Sequence, residues 1–145
     1  MNEKKMPRGF RNNNPCNIRK GSQWLGLDPE RPDDGEFCRF TSMTYGFRAA
    51  MKLLQVYYRK YCLHSVKAMI SRWAPESENN TRYYIRLVAA AANVTPGAYL
   101  TDPEICSTPW VSILVAMAQV ENGVDTYDPK LLHSWAQAAW EMLYE

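Results

Sequence analysis

Histidine is scarce in this chain: only His64 and His133 occur among 145 residues. The four cysteines, Cys16, Cys38, Cys62 and Cys106, form no CxxC pair and have no histidine at ligand spacing. No metal site is therefore expected. The thiols read as four free cysteines of a reducing compartment, with a Cys16–Cys38 bridge between two nearby extended segments as the alternative. A cysteine peptidase would need one thiol beside His64 or His133, and nothing in the spacing singles out such a pair. Also lacking are a nucleophile elbow, a P-loop, a dinucleotide fingerprint and an HExxH helix, so no cofactor is implied.

Neither sign of charge predominates, with 17 Lys and Arg against 15 Asp and Glu. The formal net charge of +2 argues for no nucleic-acid partner. The start "MNEKKMPRGFR" is basic and the stretch "DPERPDDGE" acidic, the latter reading as a solvated loop. No apolar run approaches the roughly 20 residues that cross a bilayer. The first residues carry charge but no hydrophobic segment, so no signal peptide is expected. The chain is then made in the cytosol and reaches any outside target by another route.

What is present is an ordinary share of hydrophobic residues, 46%, with 22% charged, enough for one core in one domain. Residues 1–15 read as a flexible arm ending in the turn-forming run Asn12-Asn13-Asn14-Pro15, and residues 16–145 as the domain. From Cys16 to Thr41 the signals are extended. In "EFCRFT", Phe37, Arg39 and Thr41 alternate with Glu36, Cys38 and Phe40, which predicts a β-hairpin. From Thr44 onward the pattern is helical. Phe47, Ala50, Met51, Leu54, Tyr57, Tyr58 and Tyr61 recur at helical spacing. Ser65 opens a second helix, and Ser77 to Thr81 offer caps for "RYYIRLVAAAANV". Thr95-Pro96, Asp102-Pro103, Thr108-Pro109 and Asp128-Pro129 each place an oxygen at a possible N-cap and proline at the first helical position. The expected fold class is α+β, mostly α: a small N-terminal β-hairpin followed by a helical bundle.

The remaining chemistry lies in carboxylates. Glu121 follows Leu114 by seven residues, Met117 by four and Ala118 by three, so it shares their apolar helix face. It also falls in a last helical turn before Gly123, where exposed carbonyls and partial burial both disfavour charge. A carboxylic acid that keeps its proton can donate it to a glycosidic oxygen. Alternatively Glu121 snorkels from a frayed end or pairs with an arginine. Glu78 precedes a helix start, where capping is its natural role. Glu36 opens the second hairpin strand, where a carboxylate beside a cleft can act as base, or else is a solvated turn residue. Core packing explains most of the five tryptophans. Trp24, flanked by glycine in an extended segment, is the one expected to stack on a sugar.

The pieces "RGFRNNNPCNIR", "FCRFTSMTYGFRAA" and "RWAPESENNTRYY" stand in the order seen in a family of phage-associated proteins, which this chain resembles from Arg8 to about Tyr84. That family is usually described as phage virion or structural proteins, and lysozyme-like activity is ascribed to it. Cys16 departs from its pattern, which has glycine there. The segments are also similar to those of lytic transglycosylases and goose-type lysozymes, in rotated order. There the helix ending in a catalytic glutamate comes first; here "AMAQVENG" is last, and a circular permutation would relate the two. This resemblance implies Glu121 as general acid, with Glu78, Thr81 and Tyr84 lining the cleft.

Together these features point to a lysozyme-like domain that cuts peptidoglycan glycan strands between N-acetylmuramic acid and N-acetylglucosamine, without metal or cofactor. Either a second carboxylate, Glu36 first, activates water, or the sugar's own hydroxyl attacks. Delivery would be by a phage virion or lysis system. The rival reading is a non-catalytic virion, assembly or glycan-binding protein in which Glu121 is structural.

Overall fold

The computed structural model describes residues 6–145, and residues 1–5 of the expected arm lie outside the described residues. Six helices follow in chain order: α1 (Arg8–Arg11), α2 (Met43–Arg59), α3 (Val66–Trp73), α4 (Thr81–Ala91), α5 (Trp110–Asn122) and α6 (Pro129–Tyr144).

Local sequence accounts for most boundaries. The Ser42 hydroxyl accepts from the Tyr45 amide, Ser65 from Ala68 and the Asn80 side chain from Tyr83. Each thus satisfies a backbone donor that a helix start leaves unpaired. Asp128 accepts from Lys130 with Pro129 beside it, the one X-Pro pair that caps a helix as expected. Asp102 instead accepts from Glu104 in a turn, and α5 begins at Trp110 with no side-chain cap.

Helix α5 is buried on nearly all sides, with Trp110, Ile113, Leu114, Met117 and Ala118 fully enclosed. A helix apolar all round belongs in the middle of a fold. It packs against α4 and α6, while α2 packs on α6 and α3 on α4. Each large apolar side chain so enclosed contributes roughly 1.5–3 kcal/mol. On α2, Phe47, Ala50, Met51, Leu54 and Tyr58 face inward, whereas Tyr61 is exposed.

The expectation of an α+β fold with an N-terminal β-hairpin is corrected: among the described residues the secondary structure is entirely helical. Three isolated antiparallel pairs occur, Arg19 with Phe37, Leu27 with Phe40 and Asp33 with Cys38, but no strand. The cause is where the amides go. Those of Cys38, Arg39, Phe40 and Thr41 donate to the carbonyls of Ile18, Pro32, Asn12 and Gly26 respectively. Four successive donors with four separate destinations cannot form a ladder.

Asparagines replace that ladder. Asn14, fully buried, donates to the carbonyls of Ile18 and Cys38 and accepts from the Ile18 amide. Asn13 donates to the Phe40 carbonyl. Asn12 donates to Asp34 and accepts from Arg39. Residues 8–15, assigned to the arm from sequence, thus carry α1, the buried Phe10 and these side-chain clamps.

Burial works against charge on Asp34. Arg8 at 2.6 Å, the Phe37 amide, Asn12 and the Glu36 amide outweigh it and hold this carboxyl well below its ordinary range. A carboxyl depressed on folding stabilises above its unfolded value, 3.8, and that contribution is lost as pH falls below it. Thermal unfolding should therefore show stability declining below about pH 4. Asp34→Asn should flatten part of that decline and cost about 1–3 kcal/mol at neutral pH.

Candidate functional site

Four chain segments meet around a cleft of about 400 Å³ lined by Cys16, Asn17, Arg19, Phe37, Trp73, Glu78 and Glu121, among others. Cys16 to Arg19 follow the asparagine clamp, Trp73 ends α3, Glu78 lies in the α3–α4 connection and Glu121 is the penultimate residue of α5. Glu121 is held there by the way α5 stops. Gly123, at φ 100°, turns the chain out of the helix in a backbone region that favours glycine. The buried Asn122 side chain ties this end down, donating to the Pro15 carbonyl at 2.7 Å and the Ala118 carbonyl at 2.9 Å.

Both Glu121 oxygens have donors. Asn17 Nδ2 reaches Oε1 at 3.1 Å, and the Tyr84 hydroxyl reaches Oε2 at 2.9 Å. Asn17 has φ 52°, a left-handed conformation that asparagine tolerates better than most residues. Burial first, then Glu121 and Cys16, push the Tyr84 phenol well above its usual range, so it remains a neutral donor. A carboxylate has about four acceptor positions, so two remain after these bonds. The side chain is thus oriented without being saturated.

Cys16 lies beneath this arrangement at 1% exposure. Burial, then Glu121, raise its thiol well above the ordinary value. Burial likewise raises Cys38, whereas Cys62 and Cys106 are exposed, and all four are free. Iodoacetamide at neutral pH should therefore label Cys62 and Cys106 in the native protein and spare Cys16 and Cys38 until it is denatured, as peptide mass spectrometry would show.

The other sequence-predicted residues separate. Glu78 lines the cleft with Glu121, and Asn80 rather than Glu78 caps α4. Tyr84 acts through its bond to Glu121. Thr81 is buried, and its hydroxyl donates to the Ala74 carbonyl beneath the cleft wall. Glu36 is not part of the cleft lining; its carboxylate pairs with Arg8 at 2.9 Å and Arg19 at 3.1 Å. Both arginines also cover the Phe37 ring, at 4.6 and 5.1 Å from its centroid.

Trp24 is half-buried and lines an adjoining cavity of about 300 Å³ with Tyr57 and Trp73. This cavity shares Asn17, Arg19 and Trp73 with the first, so the two adjoin and line up as one groove region, with acids in one part and aromatic side chains in the other. Asn17, Arg19 and Trp73 were not among the residues expected from sequence. Among the described residues no His, Cys, Asp and Glu cluster is placed to hold a metal ion, and no helix is long and apolar enough to cross a membrane.

Protein P5 of Pseudoalteromonas phage PM2 is 39% identical to the chain over 124 residues, covering 83% of this chain and 74% of that protein. The chain belongs to the Protein P5 family. Kinship with phage proteins, implied by the ordered motifs, is thereby shown. No protein-family profile matches the chain. Since the name of Protein P5 states no activity, the chemistry of the groove must carry the functional argument.

Proposed function

We propose that the chain cleaves the glycan strand of peptidoglycan between N-acetylmuramic acid and N-acetylglucosamine, as a muramidase or lytic transglycosylase. The folded domain, with α1 and the asparagine clamp of residues 8–15 as part of it, would do the work, and phage virion components or a lysis system would bring it to the cell wall. The observation that carries this reading is Glu121, held by Asn17 and Tyr84 on the wall of an open groove with a second acid and aromatic side chains. Glu121 would give its proton to the glycosidic oxygen as the bond to the sugar carbon breaks. Of the remaining acids, Glu78 shares the groove, so it is better placed than Glu36 to take a proton from an attacking water. Glu36 would instead steady Arg19 at the groove edge. If the muramic acid's own hydroxyl attacks, its proton returns to Glu121 and no second acid is needed.

A second reading is favoured by one observation: both Glu121 oxygens already have partners. On it, the groove holds a glycan without cutting it, as in a virion or assembly protein. Digestion of purified peptidoglycan separates the two. Soluble muropeptides with reducing ends indicate hydrolysis, and anhydro ends indicate transglycosylation. Retention of the chain on intact peptidoglycan without products leaves only binding. Failure both to release products and to bind overturns the glycan reading.

A further inference from the structure

Trp24 has a second side. It also lines a neighbouring cavity of about 480 Å³, with Gln23, Leu25, Arg48 and Lys52. Every charged group in that lining is cationic. Arg48 and Lys52 are four residues apart on α2, where side chains share a face and like charges repel. Ion pairs among the described residues engage Arg8, Arg19 and Arg59, but neither Arg48 nor Lys52. Two of the lining residues each hold a donor that is shielded from solvent and has no acceptor among the described residues, Trp24 Nε1 and Arg48 Nε. A buried donor left without an acceptor is costly, so each gains from any acceptor brought within its reach. An indole N–H, a guanidinium and an ammonium around one hollow match an anion that accepts several hydrogen bonds.

We propose that this pocket binds a carboxylate, and that the carboxylate is that of the peptide stem borne by muramic acid in a strand lying along the adjoining groove. The identity of the ligand rests on the glycan reading above; the anion pocket does not. Trp24 would serve both sites, its ring faces toward sugar and its N–H toward the stem. The chain would thereby prefer peptide-bearing strands to bare ones.

Binding to the full chain carrying Glu121→Gln, which prevents turnover, tests this. The probes are a disaccharide–tripeptide, the same molecule with its stem carboxylates amidated, the peptide-free disaccharide, the free tripeptide and inorganic phosphate. Affinity is read by calorimetry and the Trp24 indole N–H by NMR. The intact muropeptide should bind about tenfold or more tightly than its amidated form, the scale of one charge-assisted hydrogen bond, and should shift the indole signal. Arg48→Gln and Lys52→Gln should erase that preference while leaving disaccharide binding unchanged. Equal affinity for the intact and amidated probes overturns the proposal, and that comparison needs neither of these two variants. If no probe containing disaccharide binds, the glycan reading fails. The pocket is then judged on the free tripeptide, and an unmoved indole signal overturns it too. A shift with phosphate but not tripeptide overturns the carboxylate assignment.

Discussion

Glu121→Gln is expected to lower release of muropeptides by about 10²–10⁴-fold, the usual contribution of a positioned proton donor, with little change in melting temperature. The two expectations are tied together by geometry. Glutamine has the same reach, and its carbonyl oxygen can still accept from Asn17 Nδ2. Its amide nitrogen takes the place of Oε2 and can donate to the Tyr84 oxygen once that hydroxyl rotates. The hydrogen-bonded frame survives while the transferable proton is gone. A variant that melts like wild type yet releases nothing supports the acid role. Equal release by both proteins makes Glu121 a structural residue and turns attention to Glu78.

Gly9→Ala should be as damaging by another route. Gly9 is in α1, buried against the end of α5, and a Cβ there would overlap Asn122 Oδ1 and lie 2.8 Å from the Asn14 carbonyl oxygen and 3.0 Å from Asn17 Oδ1. All three neighbours are committed. Asn122 anchors the end of α5, Asn14 clamps residues 18 and 38, and Asn17 holds Glu121. An added methyl group in such a site commonly costs about 1–3 kcal/mol, and relief would displace Asn17 from the carboxylate. The expected result is a lower melting temperature and loss of most activity from a substitution that touches no ligand. Gly97→Ala is the control, since a Cβ there meets nothing within 4 Å. Unchanged activity in Gly9→Ala would show that Asn17 does not position Glu121.

These two positions also illustrate what sequence could and could not tell. Glu121 was legible because helical spacing from Leu114, Met117 and Ala118 fixes a face, and those residues are fully buried. Ser65 and the Asp128-Pro129 pair marked helix starts because capping is a local interaction. In "EFCRFT" the alternation set Cys38 and Phe40, both buried, apart from Arg39 and Thr41, but it also put Glu36 on their face, and Glu36 is exposed. The alternation failed at the next level, since period two tells which way a side chain faces, not which acceptor its amide finds. Asn17 was missed for a related reason: its importance lies in a left-handed backbone and a partner 104 residues away. Spacing shows neither. The run of asparagines read as a turn because asparagine favours turns, and nothing local reveals that Asn14 would be buried with three hydrogen bonds.

The groove consequently has two unlike jaws. One is anchored by α5, the most enclosed rod in the molecule, whose amides should open only when the whole fold does. The other, residues 16–41, is held by isolated pairs and side-chain clamps instead of a ladder, so local opening is expected there before it is in α5. A strand bound along the groove would damp that opening. Ligand protection from hydrogen exchange should then concentrate at the amides of residues 38–41, leaving α5 as slow to exchange as before.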